Sequence, residues 1–405
     1  MKVKTNLARK YPRFIYQSYS LKYSKDKLTV FFAFKIEPNI VFKPKIVFSN
    51  LSKHFKKIDI AVLNNLAFHL GMAEIPTYWK ATCSPEIVIE AGKLEREEIN
   101  FWKDLLIHGL GEFYYVNKID FTKKNFIKIT NTVSSSLPQS IYGKKLTNRT
   151  LVPVGGGKDS IVTLEEIKVK DKNYNCFLLN PTKAALRVVK TAGCKNPIIV
   201  ERQIDKKLLE LNRQGYLNGH TPFSSYLAFL SVTASILYDY KNIALSNEKS
   251  ANEGNVLFHG KVVNHQYSKS YRFEKLFNEY SRKYLAKHVN YYSYLRPFDE
   301  LQIAERFSKY PQYFKVFRSC NVGSKKGIWC NNCSKCLFAY TMLSPFLDRE
   351  ELLEIFGEDL LKKPSLKKTM DELLGISGHK PFDCVGTSEE VRKALNMTSY
   401  KTKLV

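Results

Sequence analysis

The first 80 residues combine strand and helix patterns. Two segments, Leu28–Ile36 and Ile46–Phe48, are dense in β-branched and aromatic residues, and each predicts a strand. Over Ile58–Leu70 the apolar residues recur at i, i+3, i+4 and i+7, which predicts a helix. Because glycine commonly follows the last turn of a helix, we expect this one to end at Gly71.

The next stretch adds a second helix and a further strand. Glu95–His108 predicts a helix that is broken by Gly109 and Gly111, and Phe113–Ile119 predicts a return to strand. We therefore expect residues 1–125 to form an N-terminal α+β domain. The turn signal Ser134-Ser-Ser-Leu-Pro138 lies in the connection to the following domain.

From Leu151 onward strand and helix patterns alternate. The predicted strands are Leu151–Val154, Asn175–Leu179, Pro197–Val200 and Asn242–Leu245. The helix before the last strand is predicted to begin with Thr221 as its N-cap and Pro222 in its first position. Such alternation is typical of a doubly wound parallel sheet. The predicted fold class is therefore α/β, with this sheet in residues 126–310 and a separate C-terminal region in residues 311–405.

The connection between the first of these strands and the helix after it is rich in glycine. It reads Gly155, Gly156, Gly157, Lys158, Asp159, Ser160. Glycines let the backbone approach an anion, and a helix N-terminus offers free N–H groups, so the segment is a candidate phosphate site. Lys158 adds a positive charge, and Asp159 is a candidate Mg²⁺ ligand. The spacing differs from Walker A and from Gly-x-Gly-x-x-Gly. An ordinary turn between strand and helix is the alternative.

Two later loops carry further polar chemistry. Ser246–Asn255 follows the fourth strand, where α/β sheets bind ligands, and its carboxylates Glu248 and Glu253 could hold Mg²⁺ or a polar substrate. Asn264–Ser270 brings together His265 and Lys269, which suits a second phosphate-contacting loop. A solvated loop in the first case and a surface turn in the second are the alternatives.

Four cysteines near the C-terminus have the spacing C-x9-C-x2-C-x2-C. They are Cys320, Cys330, Cys333 and Cys336. Two C-x2-C steps that share a cysteine place three thiolates in one tight turn, and a fourth completes a tetrahedral zinc site. Four protein ligands leave no open position, which predicts a structural Zn²⁺. An iron–sulfur cluster and free structural cysteines are the alternatives.

Bulk composition restricts the compartment and the partners. Eight cysteines, four of them at metal spacing, suit a reducing cytosol, and no apolar run is long enough for a membrane span. The net charge of +26 favours anionic partners, although a lysine-rich proteome would give the same excess. No basic block interleaved with aromatic residues is present, so a nucleic-acid partner is not expected.

The glycine-rich loop resembles the PP-loop of ATP pyrophosphatases, with Gly155 where a serine is usual. The cysteine spacing is similar to the zinc site of 7-cyano-7-deazaguanine synthase, another PP-loop enzyme. A narrower resemblance, from about residue 15 to the C-terminus, is to the MurL family of UDP-N-acetyl-α-D-muramoyl-L-alanyl-L-glutamate epimerases. The segments that carry it are Tyr78–Glu86, Gly155–Ser160, Ser246–Gly254, Asn264–Ser270 and Lys380–Gly386.

This resemblance implies an isomerase of peptidoglycan precursor synthesis. It implies ATP- and Mg²⁺-dependent inversion of the terminal L-glutamate of UDP-MurNAc-L-Ala-L-Glu through an acyl-adenylate, with AMP and pyrophosphate as products. The ATP contacts would come from Gly155–Ser160 and Lys269. Racemisation needs a base on each face of the carbon, and we hypothesise that one or both of Cys83 and Cys384 carry the proton, with Glu248, Glu253 and His265 as the other candidates.

Two rival functions fit parts of the same pattern. A PP-loop enzyme that adenylates a tRNA base or a deazaguanine-type carboxylate would also explain the positive charge. A non-catalytic nucleotide-binding protein would explain the glycine at position 155. Packed structural cysteines at 83 and 384 are the alternative to catalytic thiols.

Overall fold

The computed structural model describes residues 7–132, 139–324 and 326–398. The turn signal at residues 134–138 lies outside them. The helices are α1 Leu7–Lys10, α2 Ile60–Trp79, α3 Arg96–Gly109, α4 Gly111–Asn117, α5 Lys158–Lys170, α6 Lys183–Thr191, α7 Lys206–Arg213, α8 Phe223–Tyr238, α9 Tyr271–Tyr284, α10 Glu300–Ser308, α11 Ser334–Leu343, α12 Arg349–Phe356, α13 Lys367–Leu373 and α14 Ser388–Met397. The strands are β1 Arg13–Ser24, β2 Lys27–Ile36, β3 Ile40–Phe42, β4 Lys45–Phe48, β5 Glu86–Ile89, β6 Lys128–Asn131, β7 Thr150–Pro153, β8 Tyr174–Leu179, β9 Ile198–Gln203, β10 Asn242–Leu245, β11 Val256–Phe258, β12 Lys261–Val263 and β13 Asn290–Ser293.

Packing divides the chain into two compact units, each built from several segments. The first unit comprises residues 1–147, 200–241 and 257–290, and the second comprises residues 148–199, 242–256 and 291–405. The three consecutive domains predicted from the sequence remain a prediction.

The first unit is built on a mixed sheet with strand order β9-β4-β2-β1-β5-β6, and β3 lies beside β2. The β1–β2 and β2–β4 pairs are antiparallel, whereas β1–β5 and β5–β6 are parallel. Helix α2 packs against β1 and β2. The predicted strands at Leu28–Ile36 and Ile46–Phe48 and the helix at Glu95–His108 are confirmed within one or two residues.

The second unit contains the parallel strands predicted around Leu151. Their order is β13-β10-β7-β8, and the pairs β10–β7 and β7–β8 are parallel. Val152 and Cys176 in these strands are fully buried with apolar residues of α5, α10 and α11. The α/β class is confirmed for this unit. The predicted third strand is confirmed as β9, which from Val200 onward belongs to the first unit and pairs antiparallel with β4.

The prediction that Gly71 ends the first long helix is wrong. Helix α2 continues through it to Trp79. A Cβ at Gly71 would lie 1.9 Å from the Tyr16 hydroxyl oxygen, so glycine is needed there for close packing of a tyrosine. This glycine therefore serves tertiary packing inside a helix.

The strand predicted at Phe113–Ile119 is helix α4. Its buried residues are Gly111, Phe113, Tyr114 and Asn117, which recur at helical and not at alternating spacing. The helix ends at Asn117, and the next residue, Lys118, has a left-handed backbone conformation. The helix predicted to start after Thr221 begins at Phe223, with Pro222 as its N-cap.

None of the helices in the described part of the chain combines the length and the apolar composition that a bilayer span requires.

Candidate functional site

The glycine-rich loop of the second unit lies between β7 and α5, as the sequence predicts. Gly156 has φ +92°, and a Cβ there would lie 2.8 Å from the Ala185 backbone nitrogen. Gly157 is the N-cap of α5, and a Cβ there would lie 2.8 Å from Ser319 Oγ. The loop is therefore too crowded for side chains at these two positions, and it ends at the positive end of a 13-residue helix.

The side chain of Ser160 forms hydrogen bonds to two backbone groups of this loop. Its hydroxyl donates to the Gly157 carbonyl at 2.9 Å and accepts the Gly156 N–H at 3.3 Å. The Arg318 N–H also donates to the Gly156 carbonyl at 2.9 Å. The loop conformation is thus held by the chain's own hydrogen bonds.

Lys158 is buried between two carboxylates and does not extend into solvent. Its Nζ lies 2.5 Å from Asp159 Oδ1 and also contacts Glu300 Oε2. Burial alone would lower the pKa of Lys158, but the two carboxylates outweigh it and hold the pKa above its ordinary value. The ammonium group therefore remains charged, and it orients Asp159.

Glu248 and Glu300 are two further buried carboxyl groups of the second unit. Burial, together with the charges of Asp159 and Glu248, raises the pKa of Glu300 to about 8, although Lys158 opposes the shift. Glu248 is 3% exposed, and its Oε2 has no hydrogen-bond partner among the residues that the structure describes. Carboxyl groups gathered in this way disfavour one another's ionisation, and a bound divalent cation would relieve that repulsion.

The segment that carries Cys384 lies beside the loop after β10. Asn255 Nδ2 donates to the Pro381 carbonyl at 2.9 Å, and Lys380 forms a 2.8 Å ion pair with Glu253. A Cβ at Gly386 would lie 2.9 Å from Glu300 Cγ. Two predicted segments, the loop after the fourth strand and Lys380–Gly386, therefore meet in the second unit, and the side chain of Cys384 is half-buried there.

The four predicted metal-binding cysteines converge in the same unit. The Sγ–Sγ distances are 4.0 Å for Cys320–Cys333, 3.8 Å for Cys330–Cys336 and 3.5 Å for Cys333–Cys336. A tetrahedral ion with Zn–S bonds of about 2.3 Å requires sulfur atoms about 3.8 Å apart. The Gly323 N–H donates to Cys320 Sγ at 3.0 Å, as is common around a bound thiolate. The cluster fits a structural zinc ion.

Cys83 lies in the first unit, directly after α2. It is buried and has φ +50°. Burial raises the pKa of its thiol well above the ordinary value. In this conformation Cys83 is a protonated thiol, so acting as a base would require a less buried arrangement.

His265, predicted from the sequence, is part of a cluster in the first unit that also contains Glu112 and His220. His265 Nδ1 lies 2.5 Å from Glu112 Oε2, and His220 Nδ1 lies 3.6 Å from the same oxygen. Burial, together with the positive charges of His265, Lys80 and Lys269, lowers the pKa of His220 to about 3. His220 is therefore neutral at physiological pH.

Comparison with known proteins identifies the family. The MurL N-terminal domain model matches residues 5–294, and the MurL C-terminal domain model matches residues 316–404. The chain belongs to the MurL family. A Xanthomonas oryzae relative is 32% identical over 79% of this chain and 71% of its own length. A Micromonospora relative is 33% identical over 84% of this chain and 75% of its own length. Both relatives, and a third from Salinispora tropica, are named UDP-N-acetyl-alpha-D-muramoyl-L-alanyl-L-glutamate epimerase.

Sequence reasoning missed three polar residues of this MurL-family chain. Glu300 is 142 residues from its partner Lys158, and Glu112 is 153 residues from His265. His220 directly precedes the predicted helix start at Thr221, where nothing in the local pattern indicates a ligand. No spacing rule links residues so far apart, and the aromatic run around Glu112 was assigned to a strand.

Proposed function

We propose that this MurL-family protein is an isomerase that converts the terminal L-glutamate of UDP-MurNAc-L-Ala-L-Glu into D-glutamate during peptidoglycan precursor synthesis. The observation that carries the proposal is the name shared by three relatives, each matched over 71–75% of its own length. We further propose that the reaction requires Mg²⁺ and consumes ATP, with release of AMP and pyrophosphate.

The proposed use of ATP follows from the chemistry of the glutamate α-proton. A carbanion next to a free carboxylate would place two negative charges side by side. Adenylation neutralises the carboxylate, and its carbonyl can then accept the developing charge as an enolate. Removal of the proton from one face and its return to the other inverts the centre, and water then releases AMP.

The loop Gly155–Ser160 supports this proposal through its shape and its charge. A Cβ at Gly155 would meet no atom within 4 Å, so a phosphate has room to approach the backbone there, and the N-terminus of α5 supplies N–H donors and positive potential. In the proposal Lys158 acts through Asp159, because its ammonium group is held between that carboxylate and Glu300.

The carboxylates of the second unit fit a hard cation. Asp159 and Glu248 are proposed to hold Mg²⁺, which neutralises phosphate charge when bound. Glu248 Oε2, which has no hydrogen-bond partner among the described residues, and the pKa of Glu300, which burial and the charges of Asp159 and Glu248 raise, support this assignment. Zn²⁺ at the cysteine cluster is proposed to be structural, because four thiolates leave no open position.

The proposed proton carriers are Cys83, Cys384 and His265, and Glu248 is the further candidate in the case where Asp159 alone holds Mg²⁺. Burial opposes thiolate formation at Cys83. His265 has a carboxylate partner that fixes the orientation of its imidazole. Separate Cys83→Ala, Cys384→Ala, Glu248→Gln and His265→Asn variants rank them by their loss of α-proton exchange.

The test is an assay of the purified protein with UDP-MurNAc-L-Ala-L-Glu, ATP and Mg²⁺, in which pyrophosphate and the chirality of the glutamate are both measured. Asp159→Asn removes the proposed metal ligand and is expected to slow both readouts by at least about 100-fold. Asp171→Asn, a half-buried aspartate at the other end of α5, is the matched control.

Two other results of this assay would change or contradict the proposal. Pyrophosphate release without inversion would assign the protein to ligase or nucleotide-modifying chemistry. Inversion at full rate without ATP, or in Asp159→Asn, would contradict the proposed activation step.

A further inference from the structure

The cluster of Glu112, His220 and His265 in the first unit has the composition of a metal site. Each of the three side chains offers one ligand atom, and these atoms all lie within 4.8 Å of one another. Two imidazoles and one carboxylate form the protein ligand set of several catalytic zinc sites and of mononuclear iron sites. We propose that these three residues bind a divalent transition-metal ion, independently of the cysteine cluster.

The distances are close to those that such an ion needs. Bonds of about 2.1 Å in a tetrahedral arrangement place ligand atoms about 3.4 Å apart. His220 Nδ1 is 3.6 Å from Glu112 Oε2, near that value. His265 Nδ1 is 2.5 Å from the same oxygen, so its ring would withdraw by about 1 Å as the ion replaces the shared hydrogen bond.

The site retains a fourth coordination position. A closed tetrahedral site has four protein ligands, and this cluster supplies three. Catalytic zinc sites have three protein ligands and an open position, whereas structural zinc sites have four. The three side chains are 12–19% exposed, so they are mostly buried but solvent can still reach them. Water or an oxygen anion can complete the coordination.

The backbone around the cluster is held by contacts from neighbouring segments. Asn117 Nδ2 donates to the Asn218 carbonyl at 3.0 Å, and Lys80 Nζ donates to the Gly219 carbonyl at 2.5 Å. A Cβ at Gly111 would lie 3.2 Å from Val263, so α4 and β12 pack closely. The segments that carry the three ligands are therefore positioned before any ion binds.

Two lysines affect what this site would bind. Lys80 interacts electrostatically with Glu112, and Lys269 with His220. Their charges weaken the attraction for a cation, so we expect an affinity below that of the four thiolates. The same charges favour an anion in the open position, and the ligand class is therefore a carboxylate or a phosphate oxygen.

The experiment counts metal ions bound to the full chain. The purified protein is treated with EDTA, reloaded with Zn²⁺ or Co²⁺, desalted and analysed for metal content. We expect two equivalents in the wild type, and one in His220→Asn and in Glu112→Gln. The control His108→Asn replaces a histidine of the same unit that pairs with Asp104 and lies outside the cluster, and it should retain two.

Folding of the variants is checked by near-ultraviolet circular dichroism, because Trp79 and Trp102 are buried in the first unit. The Co²⁺ spectrum of the wild type gives a test that needs no substitution. A second Co²⁺ ion with nitrogen and oxygen ligands should add absorption bands to those of the cysteine site. The added bands should show no thiolate-to-metal charge transfer. A wild-type protein that holds one equivalent of Zn²⁺ and shows only thiolate bands with Co²⁺ would overturn the proposal. Two equivalents retained in both cluster variants would also overturn it.

Discussion

The two units assemble their polar groups in different ways. In the second unit the glycine-rich loop spans six consecutive residues, Gly155–Ser160, and the cysteine cluster spans Cys320–Cys336. In the first unit the cluster of Glu112, His220 and His265 joins segments up to 153 residues apart. A local motif depends on one turn of backbone, whereas a dispersed cluster depends on the packing of the whole unit. The two kinds of site should therefore respond differently to substitution.

Both units also bury ion pairs between distant residues. Lys158 and Glu300 form such a pair in the second unit, and Glu74 and Arg202 form one in the first. Removing one partner leaves an uncompensated buried charge, which costs more than the pair itself contributes. Long-range charge pairing is thus common to both units, while the local motifs lie in the second.

The largest expected effect is loss of the cysteine site. Cys333→Ser removes a thiolate whose sulfur lies 3.5 Å from that of Cys336. Since structural zinc sites contribute about 10–16 kcal/mol of apparent binding free energy at pH 7, we expect loss of the ion and cooperative unfolding of the second unit at a much lower temperature. Metal analysis and calorimetry measure both. Cys194→Ser, outside the cluster, is the control, and equal zinc content in the two variants would contradict the assignment.

A smaller effect is expected from the buried ion pair of the first unit. Arg202 donates to both oxygens of Glu74, whose side chain is fully buried, at 2.8 and 2.5 Å. Arg202→Met should lower the free energy of unfolding by about 3–5 kcal/mol, measured by urea denaturation.

The control for that prediction is the same substitution at an exposed pair. Arg13 contacts Glu37 at 2.7 Å with half of its side chain exposed, and Arg13→Met should cost about 0–1 kcal/mol. Equal losses in the two variants would show that burial does not determine the cost. The double variant Arg202→Met/Glu74→Leu should regain stability, because no charge is left unpaired.

A pH-dependent effect is expected at Glu98, also in the first unit. Burial alone would raise the pKa of Glu98, but hydrogen bonds from His69 and Tyr280 hold it below its ordinary value of 4.5. A depressed carboxyl pKa stabilises the fold above pH 4.5, and this stabilisation is lost as pH falls through the folded-state pKa. Glu98→Gln should therefore cost about 1–3 kcal/mol at neutral pH and less in acid.

Thermal unfolding from pH 7 to pH 3 measures this difference. Glu97→Gln, the neighbouring exposed glutamate, is the control and should change stability little at any pH. A difference in stability between wild type and Glu98→Gln that stays constant from pH 7 to pH 3 would mean that ionisation of the Glu98 carboxyl group does not stabilise the fold.

The sequence predicted the features that depend on neighbours along the chain. The loop between β7 and α5, the strand Asn242–Leu245 and the convergence of the four cysteines follow from local spacing. Gly71 and Phe113–Ile119 were misassigned because their conformations depend on tertiary packing, against Tyr16 in the first case. Glu112, His220 and Glu300 could not be found, since nothing in their local sequence indicates partners more than a hundred residues away.

The most direct test of the proposed function is the fate of the glutamate α-proton in D₂O. The protein is incubated with UDP-MurNAc-L-Ala-L-Glu and Mg²⁺, with and without ATP, and the released glutamate is analysed for chirality and mass. We expect D-glutamate that carries deuterium at the α-carbon, formed together with pyrophosphate and only when ATP is present. D-glutamate without deuterium, or deuterium exchange at the same rate without ATP, would contradict activation followed by deprotonation.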